Sequence, residues 1–178
     1  MNQESKQIYI VLTYTGTILS KIIKYYTHAE YAHVSLSLDQ ELKKMYSFGR
    51  KNAYNPFIGG FVHERINSGT FKRFKRTKAL IYALELTDEQ YKVIKKLILE
   101  FESQRNIYKF NIIGLFGSAF NLKYRKKNYF YCAEFVKYLT DEANLKLDLP
   151  ELVKPIDFQN IENIELIFQG ILRNYKVV

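Results

Sequence analysis

The segment 78–104 joins a strand pattern directly to a helix pattern. KALIYALEL at 78–86 is an almost continuous apolar run of the kind found in buried strands. Thr87 follows as a helix N-cap residue, with Asp88 and Glu89 in the first turn. The apolar positions after it recur at helical spacing: Val93, Ile94, Leu97, Ile98 and Phe101. The sequence therefore predicts a buried strand followed by an amphipathic helix over 87–104.

The other elements do not alternate strictly between strand and helix. Thr15-Gly16 marks a turn between a strand and a short helix, and Asn-Pro and Gly-Gly within 54–60 mark a loop. We predict helices over 17–28 and from Cys132 onward, and strands over 7–15, 33–39, 42–49, 61–66 and in the segment 165–178. This order predicts an α+β fold in which an antiparallel sheet packs against helices.

Length and composition fit one packed domain. The chain has 178 residues, of which 47% are hydrophobic, so we predict a single domain over 1–178 with a substantial core. The first residues, MNQESKQ, lack the pattern of a secretory signal, and no apolar run approaches the length of a membrane span. A single cysteine forms no internal disulfide, in agreement with a reducing compartment. We therefore predict a cytoplasmic protein without a transmembrane segment.

The chain is strongly basic. Its 27 Lys and Arg residues exceed its 18 Asp and Glu residues, which gives a net charge of +9. Such a balance favours an anionic partner, such as nucleic acid, a lipid surface or an acidic polymer. The charge is concentrated in FKRFKRTK at 71–78 and KYRKK at 123–127, both next to aromatic residues. Without a nucleic-acid-binding motif, solvated loops explain these clusters better, and a nucleic-acid partner is the less favoured alternative.

The only cysteine, Cys132, stands at the beginning of a helix pattern. The N-terminal turn of a helix favours negative charge, and a thiol is nucleophilic as its thiolate. The alternative is an inert core residue, because Cys132, Phe135, Val136 and Leu139 share one apolar helix face. The pattern alone favours this alternative.

His33 begins the alternating strand HVSLSLD. Alternation places His33 and Ser35 on one face of the strand and Val34 and Leu36 on the other. An imidazole close to a thiol could act as its base, whereas a histidine with a structural hydrogen bond is the more common case for such a pattern.

The residues around Cys132 and His33 are similar to motifs of a known enzyme family. YCAEFV at 131–136, HVSL at 33–36 and KPIDF at 154–158 occur in this order. They resemble the motifs of the circularly permuted papain-like cysteine amidases, the YiiX-type branch of the NlpC superfamily, which is related to the lecithin:retinol acyltransferases. The resemblance covers most of the chain, from about Ile8 to Phe158.

The resemblance implies a permuted papain-like fold and acyl-transfer chemistry. Cys132 would be the nucleophile and His33 its base, acting on an amide, thioester or ester bond. Many members carry an acidic residue on the strand after the histidine, where this chain reads MYSFGRKN. We place Ser47 first as the third catalytic residue, with Asp39, Glu64 or a backbone carbonyl as alternatives that could also hold the imidazole.

The same resemblance suggests an oxyanion site made of the Cys132 backbone N–H and a side-chain donor. Tyr14 is our first choice for that donor, and Tyr129 and Tyr131 are weaker ones. The substrate is not specified, although the positive charge suits an anionic one: an acidic peptide, a lipid or a cell-wall fragment.

Other chemistry has little support in the sequence. The histidines at 28, 33 and 63 and the single cysteine show no metal-ligand spacing, and we predict neither a metal site nor a cofactor. Two rival hypotheses stay open. One is an inactive papain-like binding module, which the missing acidic residue after His33 favours, and the other is a basic nucleic-acid-binding protein.

Overall fold

The computed structural model describes residues 6–27, 29–52, 59–120 and 122–177. Six strands form one antiparallel sheet: β1 (Lys6–Tyr14), β2 (His33–Ser37), β3 (Met45–Arg50), β4 (Gly59–Glu64), β5 (Lys78–Leu86) and β8 (Glu165–Ile171). Their order across the sheet is β4-β3-β2-β1-β5-β8. The α+β class with an antiparallel sheet is confirmed.

Five helices accompany the sheet in the described part of the chain: α1 (Ile18–Thr27), α2 (Gly69–Arg73), α3 (Asp88–Ser103), α4 (Ile112–Ala119) and α5 (Cys132–Glu142). Two further short strands, β6 (Lys109–Phe110) and β7 (Tyr129–Phe130), pair in parallel apart from the main sheet. The segments Pro155–Asn160 and Leu172–Asn174 form 3-10 helices.

The helix α3 begins as its sequence predicts. The Thr87 hydroxyl accepts the backbone N–H of Gln90, and the Gln90 side chain accepts the backbone N–H of Thr87. This reciprocal pair satisfies two N–H groups that a helix start would otherwise leave unbonded. It fixes the point at which β5 turns into α3, and α3 then packs against β1, β5 and α5.

The larger core lies between one face of the sheet and helices α3 and α5. Phe101 of α3 and Phe135 of α5 meet edge to face with ring centroids 5.1 Å apart. Phe48 of β3 contacts Phe135 in turn, at 5.4 Å. Such aromatic pairs contribute about 1 kcal/mol beyond the area they bury. They fix α5, which carries Cys132, against the middle of the sheet.

The other face of the sheet has a smaller apolar cluster. Val11 and Ile81 from the central strands pack there with Phe71 of α2 and Leu172 of the C-terminal 3-10 helix. The segment 71–78 is therefore partly structural: Phe71 and Thr77 are buried, whereas Lys72, Arg73, Lys75 and Arg76 are exposed. The basic side chains are exposed as the solvated-loop prediction implies, but the segment is only partly a loop, because α2 extends to Arg73 and β5 begins at Lys78.

Several predicted boundaries differ from the observed ones. The strand predicted over 33–39 ends at Ser37, because Asp39 forms a turn in which its side chain accepts the Lys43 N–H. The last strand ends at Ile171, short of the C-terminus. Most of the predicted loop over 54–60 and the last residue of the helix predicted over 17–28 lie outside the described residues.

Candidate active site

Cys132 is the first residue of α5, and its position depends on the segments just before that helix. The β6–β7 pair carries the chain up to Tyr131, which caps the helix. The Glu134 carboxylate accepts the Tyr131 backbone N–H at 3.2 Å and the Asn111 side-chain amide at 3.3 Å. Asn111 also caps α4 by accepting the Gly114 N–H. One buried asparagine thus joins the starts of α4 and α5.

His33 is the first residue of β2, beside the end of β1. The backbone pairs His33 with Thr13, and the two faces of β2 separate as the alternation predicts. Val34 and Leu36 belong to the same core as Cys132, and both are fully buried. The Ser35 side chain lies on the other face, where it donates to Glu64 of β4, and His33, at the start of the strand, meets both Glu64 and the cavity that Cys132 lines.

Glu64 is the residue that holds the imidazole. The Nε2 atom of His33 lies 3.0 and 3.1 Å from the two carboxylate oxygens of Glu64. Ser35 donates its hydroxyl to the same carboxylate. Glu64 was one of several alternatives in the sequence analysis, and its side chain is 13% exposed.

Ser47, the residue placed first for this role, has a different partner. Its hydroxyl donates to the backbone carbonyl of Val34 at 2.8 Å. Asp39 is also elsewhere, in the turn after β2. The structure therefore favours Glu64 over Ser47 as the partner of His33, because the neighbouring strand β3 contributes a buried serine bonded to the backbone and the next strand contributes the carboxylate.

The charges of this cluster reinforce one another. Burial opposes the charged form of His33, but the negative charge and hydrogen bonding of Glu64, together with hydrogen bonding and charge from Cys132, raise the pKa of His33 to about 10. Burial likewise opposes ionisation of Glu64, yet His33, Ser35 and Arg50 hold the pKa of Glu64 below its ordinary value. The imidazole is therefore protonated and paired with Glu64 at neutral pH.

A small cavity of about 60 Å³ lies where these residues meet. His33, Glu64 and Cys132 all line it, together with Thr13 and Arg50. Gly49 gives the imidazole its space, since a Cβ atom there would lie 3.3 Å from Cε1 of His33. The Thr13 hydroxyl is fully buried, and it has no hydrogen-bond partner among the residues that the structure describes.

The tyrosines proposed as oxyanion donors lie outside this cavity. Tyr14 packs against the core with Lys24 5.1 Å from its ring centroid, and it is not among the residues that line the cavity. Tyr131 donates its hydroxyl to the Val153 carbonyl, and Tyr129 faces Lys126. The structure favours Thr13 over Tyr14 at this position, because the register pairs Thr13 with His33 and alternation directs the neighbouring Tyr14 to the other face.

The remaining sequence candidates have structural contacts. The Nε2 atom of His63 lies 2.7 Å from a carboxylate oxygen of Glu102, and burial lowers the pKa of His63. Asp157 of the KPIDF segment accepts the Lys154 backbone N–H at 2.7 Å, and Phe158 is buried in the core. His63 and Asp157 are not among the residues that line the cavity containing Cys132.

Residues 6–177, apart from the positions that the structure does not describe, contain no group of three or more metal-ligating side chains. Within the same ranges, no helix combines the length and apolar character that a membrane crossing requires.

Comparison with known proteins adds no family to this description. No family model matches the chain, and no curated protein sequence is significantly similar to it.

Proposed function

We propose that this protein is a cysteine hydrolase or acyltransferase in which Cys132, His33 and Glu64 act together. The observation that carries the proposal is the position of His33, whose Nε2 is held by Glu64 while the ring interacts with Cys132 in the shared cavity. The permuted papain-like fold and the YiiX-type family are part of the same proposal. They rest on the motif order of the sequence.

The proposed reaction forms and breaks one acyl-enzyme. The Cys132 thiolate attacks the carbonyl carbon of an amide, thioester or ester. The His33 imidazolium donates its proton to the leaving group, which departs with the electron pair of the broken bond. Neutral His33 then takes a proton from water or from another acceptor of the acyl group. The deprotonated acceptor attacks the carbonyl carbon of the acyl-enzyme, and the Cys132 thiolate leaves. Glu64 stabilises the imidazolium throughout.

The negative charge that develops on the carbonyl oxygen during the attack requires hydrogen-bond donors close to Cys132. The backbone N–H of Cys132 is at the first helical position, where N–H groups have no partner within the helix. Thr13 takes the place of Tyr14 in this proposal, because its hydroxyl is unpartnered and it lines the cavity.

Glu64 weakens the rival hypothesis of an inactive binding module. That hypothesis was based on the missing acidic residue on the strand after His33. The carboxylate comes instead from β4, and it makes the contact with the imidazole that the missing residue would have made.

The proposal is tested by alkylation of Cys132 with iodoacetamide as a function of pH. Since the chain has one cysteine, the rate reports this thiol alone. We expect the native protein to react fast at neutral pH, and His33→Ala to slow the reaction by at least tenfold at pH 7. His63→Ala is the matched control, because it removes another partly buried histidine that pairs with a glutamate, and it should leave the rate unchanged.

An inert thiol gives the opposite result. Slow alkylation until denaturant is added, or equal rates in wild type and His33→Ala, would remove the case for catalysis. A fast thiol that depends on His33 would justify a screen of amide, thioester and ester substrates, with Cys132→Ala as the inactive reference.

A further inference from the structure

Helices α1 and α4 carry an exposed apolar surface. In α1, Ile18 is 80% exposed and Tyr25 is 72% exposed, and Ile22 lies between them. Spacing of four and three residues puts these three on one outward face of the helix. The segment around α4 adds Ile113, Phe120 and Leu122, each more than half exposed. We call these six residues the α1–α4 surface.

The two parts of this surface are in contact. α1 packs against α4, and the rings of Tyr26 and Phe120 lie 5.0 Å apart. The opposite face of α1 contributes the buried Ser20 and Ile23 to the core side of the fold. α1 therefore has apolar residues on its outward face as well as on its buried face, and packing among the described residues does not explain the outward ones.

Lysines lie on and beside the α1–α4 surface. Lys21 and Lys24 are exposed on α1 itself, next to Ile22 and Tyr25. Lys123 lines one open pocket together with Ile113, Phe120 and Leu122. Lys123 and Arg125 pair with Glu151, which partly neutralises that end of the segment. Apolar and aromatic side chains with lysines at their edge are the composition of helices that lie in the interface of an anionic bilayer.

We propose that the α1–α4 surface binds an anionic lipid bilayer. Its aliphatic and aromatic side chains would enter the boundary between headgroups and acyl chains, while the lysines remain among the anionic headgroups. This explains both the exposed apolar residues and part of the net charge of +9.

The helices that carry the α1–α4 surface also reach the cavity of the candidate active site, with their inward-facing residues. Thr17, Ser20 and Ile23 from the α1 segment and Leu115 from α4 line that cavity, which also contains Cys132. Docking on a bilayer would therefore bring a membrane-borne amide, thioester or ester close to the thiol. This last step rests on the proposed function, whereas binding to the bilayer does not.

Vesicle cosedimentation tests the surface without any chemistry at Cys132. We expect the protein to bind vesicles of phosphatidylcholine with phosphatidylserine, more weakly at high salt and much more weakly to phosphatidylcholine alone. The variant Ile18→Ser/Tyr25→Ser should lose at least tenfold in affinity. Lys21→Gln/Lys24→Gln should lose about tenfold on the anionic vesicles only.

The control variant is Val93→Ser/Leu99→Ser, which removes two exposed apolar residues from α3 instead. It should bind like wild type, and thermal melting should show all variants folded. The proposal is overturned if wild type does not bind anionic vesicles, or if both apolar variants bind equally well. It is also overturned if light scattering shows that the α1–α4 surface forms a dimer that Ile18→Ser/Tyr25→Ser dissociates.

Iodoacetamide alkylation of the same variants separates the two proposals. A protein that binds vesicles but has an inert Cys132 retains the lipid surface and loses the proposed enzyme activity. A protein with a reactive Cys132 that does not bind vesicles supports the proposed enzyme activity and excludes the lipid surface.

Discussion

Both carboxylate oxygens of Glu64 lie 3.0 to 3.1 Å from Nε2 of His33, although the two residues are distant in the sequence. The two residues lie on β2 and β4, and β3 separates these strands in the sheet. Gly49 of β3 leaves the gap in which the ring and the carboxylate meet. The pair is therefore a product of three adjacent strands.

Removing the charge of Glu64 should lower the reactivity of Cys132. Glu64→Gln keeps a side chain of the same shape but loses the anion that raises the pKa of His33. We expect the alkylation rate at pH 7 to fall by about tenfold, and the ring signals of His33 to titrate closer to the ordinary pKa of about 6.5. Glu102→Gln, which removes the partner of His63, is the control and should change neither measurement. Unchanged titration of His33 in Glu64→Gln would contradict the pairing.

The same pair should make stability depend on pH. Because the pKa of His33 is higher in the folded chain, its contribution is complete below about pH 6.5 and is lost as pH rises toward 10. We expect the free energy of unfolding to fall by up to about 1.4 kcal/mol per pH unit from this group within that window. Denaturant titrations of wild type and Glu64→Gln measure it, and the difference between them should shrink as pH rises. A difference that does not vary with pH would exclude this linkage.

At acid pH the sign is reversed for Glu64. Its pKa is lowered in the folded chain, so its contribution is present above about pH 4.5 and is lost as pH falls through the folded-state pKa. Wild type should therefore be more sensitive to acid than Glu64→Gln when both are unfolded by denaturant between pH 6 and pH 3.

Gly49→Ala should disturb the site more than the fold. A Cβ atom would lie 3.3 Å from Cε1 of His33 and 3.5 Å from Val62, so the imidazole must shift by a few tenths of an ångström. We expect slower alkylation of Cys132 with only a small change in the thermal midpoint. Gly16→Ala is the opposite case, because φ is +69° at Gly16 while open space surrounds it. It should cost about 1 kcal/mol of stability and leave alkylation as in wild type.

Two buried hydroxyls of the sheet should respond differently to removal. Ser47→Ala breaks the bond to the Val34 carbonyl and should destabilise the protein by about 1 kcal/mol. Thr13→Val removes a hydroxyl that has no partner, and should be neutral or stabilising in denaturant titrations. If Thr13 contributes a donor to the proposed reaction, Thr13→Val should also lower turnover of any substrate found. A strongly destabilised Thr13→Val would show that the hydroxyl has a partner in solution.

Local sequence patterns determined the main elements of this protein. The cap at Thr87, the alternation of HVSLSLD and the apolar run at 78–86 all predicted the observed elements, because each depends on neighbours within a few residues. The short helix α2 and the parallel pair β6–β7 were missed. They are too short for a periodic pattern and depend on tertiary contacts, such as burial of Phe71.

Only the tertiary structure decided which side chains meet His33. The sequence proposed His33 and Cys132 as a pair, but it put Ser47 before Glu64 and Tyr14 before any other donor. The order of strands across the sheet brings Glu64 to the imidazole, and the register of β1 with β2 puts Thr13 beside it. Strand order and register are set by packing over the whole sheet, so residues distant in sequence become neighbours that no local pattern specifies.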